Sequence, residues 1–266
     1  ENILTIQCEN FPLIKKYNLN YNLKLDDMIF VHPAGAGTEV YQNLSELLIS
    51  RYNCIGINNY NLHHIEKIDS LNKLAGYYLS EYEQKYKLKE TINLLGWSLG
   101  GQIVLEMAVL LESRGYKKIN ITLLDTIVMD SYLRIISEKE NNEDVKKRTE
   151  ALLINEELEK DYIEKIIMNM SVEENLSKTQ ISSRLIFSKV VLFKAVLKDD
   201  KNASPNSRQI YEYIKTLKLN NVDTIVDDIK VINLDCHHGN IIKKYENIIY
   251  NNISSIDNET IESNKE

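Results

Sequence analysis

Two kinds of apolar pattern alternate along the first half of the chain. Short unbroken runs, Met28-Ile29-Phe30-Val31, Cys54-Ile55-Gly56-Ile57, Thr91-Ile92-Asn93-Leu94-Leu95 and Ile119 to Leu124, have the length and continuity of strands buried on both faces. Between them, apolar residues recur every three or four positions: Tyr41, Leu44, Leu47 and Leu48; Leu71, Leu74, Tyr78 and Tyr82; and, within Gln102 to Arg114, Ile103, Val104, Met107, Ala108, Leu110 and Leu111. That period is helical. Strands alternating with helices predict an α/β fold with a mainly parallel sheet covered by helices on both faces.

The alternation breaks at about residues 130–184, where no strand pattern is visible. Glu138 to Arg148 is strongly charged and should be solvated, whereas Leu152, Leu153, Leu158, Tyr162, Ile163, Ile166, Ile167 and Met170 fit amphipathic helices. This block reads as a helical insertion within a single domain spanning 1–266. Val190-Val191-Leu192-Phe193 resumes the sheet, and Lys198 to Ser207, with Pro205, reads as a loop. Val231-Ile232-Asn233-Leu234 is the last strand and Ile241 to Ile253 the last helix, followed by a polar, frayed Asp257 to Glu266. Residues 1–27 carry no assignment beyond an edge strand near Ile3 to Gln7.

Composition narrows the classes. With 266 residues and 43% hydrophobic content the chain can bury a substantial core. A net charge of −7 argues against nucleic acid as a partner. No apolar run approaches the ~20 residues that span a bilayer, and no signal peptide is visible, so no membrane partner is expected. The three cysteines, Cys8, Cys54 and Cys236, are far apart and odd in number, which suits reduced thiols in a cytoplasm. No Cys/His spacing suggests a metal. The first residue is Glu1 rather than Met, as in a piece cut from a larger protein or a trimmed chain.

The candidate chemistry centres on Gly96-Trp97-Ser98-Leu99-Gly100-Gly101, which lies between the predicted strand Thr91–Leu95 and the helix from Gln102. Strand, Gly-x-Ser-x-Gly, helix is the context of a nucleophile elbow, and the turn leaves no room for side chains around the serine. Ser98 is therefore the candidate nucleophile. A serine hydroxyl needs a base, and the base an orienting acid, which in this arrangement follow in the order acid, then histidine. Asp125 ends the next strand, where it acts either as the acid or as a turn cap. The histidine is expected in the late segment Asp235-Cys236-His237-His238-Gly239-Asn240, which reads as a loop. His238 is preferred over His237 because Ile241 and Ile242 then anchor the last helix. His63 and His64 read as surface residues. Two N–H donors must hold the oxyanion. One is expected from Leu99, the residue after the nucleophile, and the other from the loop Pro33-Ala34-Gly35, with Ala34 preferred.

Together, His32-Pro33-Ala34-Gly35-Ala36-Gly37, Gly96-Trp97-Ser98-Leu99-Gly100-Gly101, Leu123-Leu124-Asp125 and a late histidine resemble the thioesterase domains of nonribosomal peptide synthetases and polyketide synthases, over about Met28 to Ile253. The family usually has glycine two residues before its histidine; here that place holds Cys236 or Asp235. The resemblance implies an α/β-hydrolase fold in which the 130–184 block is a lid. It implies an acyl or peptidyl thioester delivered on the phosphopantetheine arm of a carrier protein, which is expected to be the preceding domain of the same polypeptide. No cofactor is expected to be bound. The chain would pass to Ser98 and leave by hydrolysis or ring closure, with Pro33, Gly35 and Trp97 touching the substrate. Two other readings stand beside it: a generic serine carboxylesterase or lipase, and a catalytically silent hydrolase fold used for docking.

Overall fold

A computed structural model describes residues 12–138, 160–197 and 205–263. The expected edge strand at Ile3–Gln7, Cys8, the charged run beyond Glu138 and the apolar Leu152, Leu153 and Leu158 lie outside the described residues. Seven strands form one sheet: β1 (Ile14–Lys16), β2 (Asp26–Val31), β3 (Tyr52–Ile57), β4 (Thr91–Trp97), β5 (Lys118–Leu124), β6 (Ser188–Leu197) and β7 (Ile229–His237). Their order is β1-β3-β2-β4-β5-β6-β7. All pairs are parallel except β1 with β3.

The unbroken apolar runs are explained by what lies on each face. Strand alternation sends Ile29, Val31, Ile55, Leu94, Ile121 and Leu192 to one side, where α3 (Leu71–Glu83) and α4 (Leu99–Ser113) cover them with Leu74, Tyr78, Ile103 and Met107. Met28, Phe30, Cys54, Leu95 and Phe193 face the other side, under α1 (Gln42–Leu48) and α8 (Ile241–Ser263), which contribute Leu44, Leu48, Ile249 and Ile253. The expected two-sided parallel sheet is what the chain builds.

Within the block at 130–184 the described elements are helical: α5 (Ser131–Ser137) and α6 (Lys160–Ser177). Helix α6 packs on α4 and on a short helix α2 (Tyr60–His63). Its buried face is not the expected apolar stripe. Ile166 and Leu176 are buried, but so are Asn169 and Glu173, while Met168 is 78% exposed.

Several boundaries differ from the sequence expectation. Strand β1 was not anticipated; three residues carry too little pattern. Helix α7 (Pro205–Thr216) starts at Pro205, inside the expected loop, because proline's missing N–H costs nothing at a first helical position. Residues 198–204 of that loop lie outside the described residues. Helix α8 continues to Ser263, so Asp257–Ser263 is helical rather than frayed; the helix is kinked at Tyr245 (φ −128°, ψ 17°). Strand β7 runs on to His237, so residues 235–237 are strand, not loop. His63 and His64 are partly buried rather than on the surface. Asn59 caps α2 by accepting the Leu62 N–H, and the His64 ring stacks on Tyr60 at 3.9 Å. Among the described residues no helix is long and apolar enough to cross a membrane.

Candidate active site

Ser98 stands between β4 and α4 with φ 56° and ψ −120°, a conformation side chains rarely adopt. It is held there by packed backbone. A Cβ on Gly96 would lie 2.3 Å from the Gly100 backbone, and one on Gly100 would lie 2.5 Å from the Val31 and His32 carbonyl oxygens. The helix therefore starts in contact with two strands, and only glycine fits at either position. The Ser98 N–H donates to the Leu124 carbonyl, and the Ser98 carbonyl accepts from the Gly101 N–H and the Thr126 hydroxyl. Beneath the turn, the buried Tyr41 hydroxyl accepts the Trp97 N–H (2.9 Å) and donates to the Val31 carbonyl (2.8 Å). Leu99, 2% exposed, is the first residue of α4, so its N–H lies in the turn that has no intrahelical acceptor.

Asp125 follows β5 with φ 45° and is 1% exposed. Its Oδ2 accepts from His238 Nδ1 at 2.8 Å, and its Oδ1 accepts from the Ala195 N–H and the Asn220 side chain, each at 3.2 Å. Asp125 does not cap a helix; the α5 cap is Asp130, which accepts the Leu133 N–H. N–H donors on both oxygens satisfy the buried carboxylate and aim it at the imidazole. The ring of His238 also lies 5.5 Å from that of Trp97.

Alternation along β7 separates the two histidines. Leu234 and Cys236 are buried and Asp235 and His237 are exposed; His238, the residue after the strand, is half-exposed and turns its Nδ1 to Asp125. Cys236, standing where the resembling family usually has glycine, is fully buried. With Nδ1 donating to Asp125, His238 Nε2 is the ring nitrogen left to accept a proton.

The loop after β2 is pinned from two sides. His32 is 1% exposed; its Nδ1–H donates to the Pro33 carbonyl (2.8 Å), and its Nε2 accepts from the Tyr78 hydroxyl (2.7 Å). Burial holds this imidazole down to about 4, so it is neutral at neutral pH. Because a peptide is planar and trans, fixing the Pro33 carbonyl also fixes the direction of the Ala34 N–H. From the other side, Gly35 (φ 68°) donates its N–H to Glu173 of α6 at 2.8 Å. Ala34 itself is exposed and Pro33 buried. Among the described residues, no three His, Cys, Asp or Glu side chains group as a metal site would require.

Of the expected residues, the structure brings Asp125, His238 and Trp97 together beside the Ser98 turn, and turns His237 away. Sequence reasoning missed Asn220, His32 and Glu173. The Asn220-Asn221 pair, both at positive φ, was a signal for the first, since asparagine tolerates that conformation. His32 stood in the glycine-rich motif without a role assigned to it, and Glu173 had no local signal.

A model of the thioesterase domain matches residues 27–251. No curated protein matches the chain in sequence. Among solved structures, the chain is similar to the NocB thioesterase domain in covalent complex with a fluorophosphonate nocardicin G analogue: TM-score 0.63, 16% identity, 83% of this chain and 89% of that one. It is similar to the type II thioesterase BorB from the borrelidin biosynthetic cluster, with TM-score 0.64, 12% identity, and 91% and 96% covered. It also matches AB3403, a four-domain nonribosomal peptide synthetase bound to AMP and glycine, with TM-score 0.64, 17% identity, and 93% of this chain against 20% of that one. These likenesses establish the shared fold.

Proposed function

We propose, from the premise that the chain belongs to the thioesterase domain family, that it releases an acyl or peptidyl chain from the phosphopantetheine arm of a carrier protein through an ester on Ser98. The observation that carries the assignment of roles is the 2.8 Å bond from His238 Nδ1 to the buried Asp125, next to a serine held at positive φ. As Ser98 Oγ attacks the thioester carbonyl, its proton passes to His238 Nε2. Asp125 holds the ring in that tautomer and stabilises its charged form. The Leu99 and Ala34 N–H groups hold the tetrahedral oxyanion. When the carbon–sulfur bond breaks, the imidazolium returns the proton to the leaving sulfur, and phosphopantetheine departs as a free thiol.

Water, or a nucleophile within the chain, then attacks the ester; His238 takes its proton and returns it to Ser98 Oγ. Pro33, Gly35 and Trp97 border the acyl path, and the helices of the 130–184 block serve as the lid. A closed lid favours ring formation by excluding water. No cofactor takes part, because the substrate brings its own arm. The match to one fifth of a four-domain synthetase supports a carrier upstream in the same polypeptide. The buried thiols of Cys54 and Cys236 support a cytoplasmic setting.

The test is intact mass after exposure to a fluorophosphonate, followed by turnover of carrier-bound and free acyl substrates. One adduct, absent in Ser98→Ala, together with a strong preference for the carrier-bound thioester, is expected. Equal turnover of free esters would point instead to a general carboxylesterase, and no adduct on the folded chain to a silent docking fold.

A further inference from the structure

Glu173 is a buried carboxylate that the chemistry above does not use. It is 4% exposed and lies on α6, the helix that covers the glycine-rich loop. One oxygen accepts the Gly35 N–H at 2.8 Å, and the other accepts from the side chain of Asn59, the cap of α2. One turn before Asn169, the same helix places Ile166 3.4 Å from where a Cβ on Gly35 would be. One turn earlier still, Tyr162 donates to Glu39 at 2.9 Å and accepts the Gly37 N–H at 3.3 Å. The loop that carries Ala34 is thus tied to α6 at two backbone N–H groups.

Other carboxylates have plainer work. Glu106 joins α4 to Asn72 and to the Ser182 N–H, and Glu112 gathers the Ile186, Phe187 and Ser188 N–H groups at the entry to β6. Neither touches the loop. Glu173 is the one that spans from the insertion to the peptide next to Ala34. Removing a carboxylate from water is costly, and here the cost is offset by groups it meets only while α6 is docked.

We propose that Glu173 is a positioning residue for the reaction at Ser98: by holding the Gly35 peptide from α6, it completes the restraint on Ala34 and its N–H that His32 begins from the other side. This rests on the reading of Ala34 as an oxyanion donor. The two peptides flanking Ala34 are then fixed from opposite directions, by His32 from the sheet side and by Glu173 from the helix side. Seating of α6 and order in the loop favour each other, so an unseated helix leaves the hole incomplete and thioester cleavage slow.

The experiment compares wild type, Glu173→Gln and Glu173→Ala. Three quantities are read: the second-order rate of fluorophosphonate addition to Ser98, kcat and KM for a short-chain acyl N-acetylcysteamine thioester per titrated site, and hydrogen exchange of the segment containing Gly35. Loosening a donor should cost less than deleting one. Glu173→Ala should therefore slow both reactions by about 10- to 100-fold with KM changed by less than about threefold, and exchange near Gly35 should quicken while β4 and α4 stay protected. Glu173→Gln keeps one carbonyl acceptor and should fall between the two. Wild-type rates per site in both variants, with or without faster exchange or a lower melting temperature, would overturn the role of Glu173. Wild type that takes no adduct, or an adduct that survives Ser98→Ala, would overturn the reading of the site itself.

Discussion

At Ser98 the turn is held first by backbone packed on backbone; at Pro33–Gly37 the backbone is held by side chains, those of the neighbouring His32 and of Glu173 and Tyr162 on α6. The first turn is fixed by glycines pressed against neighbouring strands, with 2.3 to 2.5 Å to where any Cβ would sit. The second is fixed by His32 on the sheet side and by Glu173, which is 138 residues away from Gly35 in sequence. Close-packed backbone has no rotamer to give and cannot adjust. A polar tether can lengthen, swap partner or release. The contrast assigns rigidity to the Ser98 turn and adjustability to the loop after β2.

The largest expected effect lies on the rigid side. His238→Ala should lower turnover by about 10³- to 10⁴-fold, while His237→Ala should stay within about twofold, since its side chain faces solvent. Carrier-bound substrate kinetics on the two variants decide it. The reverse ranking would break the pairing of Asp125 with His238.

Next comes a direct comparison of the two turns by alanine substitution. Gly100→Ala must drive a methyl into the Val31 and His32 backbone and should destabilise the fold by about 3 kcal/mol or more. Gly35→Ala meets only the Ile166 Cγ2 methyl, at an ordinary contact distance of 3.4 Å, and its cost is the positive φ, about 1–2 kcal/mol. Urea unfolding of both variants measures the gap. Equal losses would show that the loop is as unyielding as the elbow.

The same contrast explains what could be read from the sequence. The elbow needs glycine at fixed offsets from one serine between a strand and a helix, so its demand is local and visible. Asp125 was visible because strands of a parallel sheet end on one side. A sequence pattern leaves two adjacent histidines to choose between; the structure pairs His238, the residue after β7, with Asp125 and leaves His237 exposed. Helix α6 was read from Ile163, Ile166, Ile167 and Met170. The face it buries includes Glu173, which accepts the Gly35 N–H and the Asn59 amide, beside the apolar Ile166 and Leu176. Hydrophobic periodicity cannot announce a face chosen for hydrogen bonding.

A smaller effect sharpens the two sides of the loop through pH. Burial raises the Glu173 carboxyl from its ordinary 4.5 to about 7, against the opposing hydrogen bonds of Asn59 and Gly35 and the charge of Lys67. Between those values the folded chain keeps a proton that the unfolded chain has lost. Its contribution is therefore full below 4.5 and is lost as pH rises through about 7. His32, lowered from 6.5 to about 4, behaves oppositely: its contribution is full above 6.5 and is lost as pH falls through about 4. Glu173→Gln removes only the first dependence. Its stability relative to wild type should improve from about pH 5 to about pH 8, by no more than about 3 kcal/mol. A difference that does not change with pH would show that the carboxyl does not titrate in that window.

The smallest expected effect concerns the other tether from α6. Tyr162 donates to Glu39 and accepts the Gly37 N–H at 3.3 Å, but that N–H also donates to Glu39 at 2.8 Å. Removing the hydroxyl in Tyr162→Phe therefore leaves no backbone donor without a partner. It costs the net worth of a hydrogen bond rather than the larger penalty of an orphaned group, about 0.5–1 kcal/mol in urea unfolding. A loss above about 2 kcal/mol would mean that the loop depends on every one of its bonds, as the elbow depends on each of its glycines. A loss near the lower figure leaves Glu173 as the tether whose removal the loop feels, since Glu173→Ala leaves both the Gly35 N–H and the Asn59 amide without the acceptor they now share.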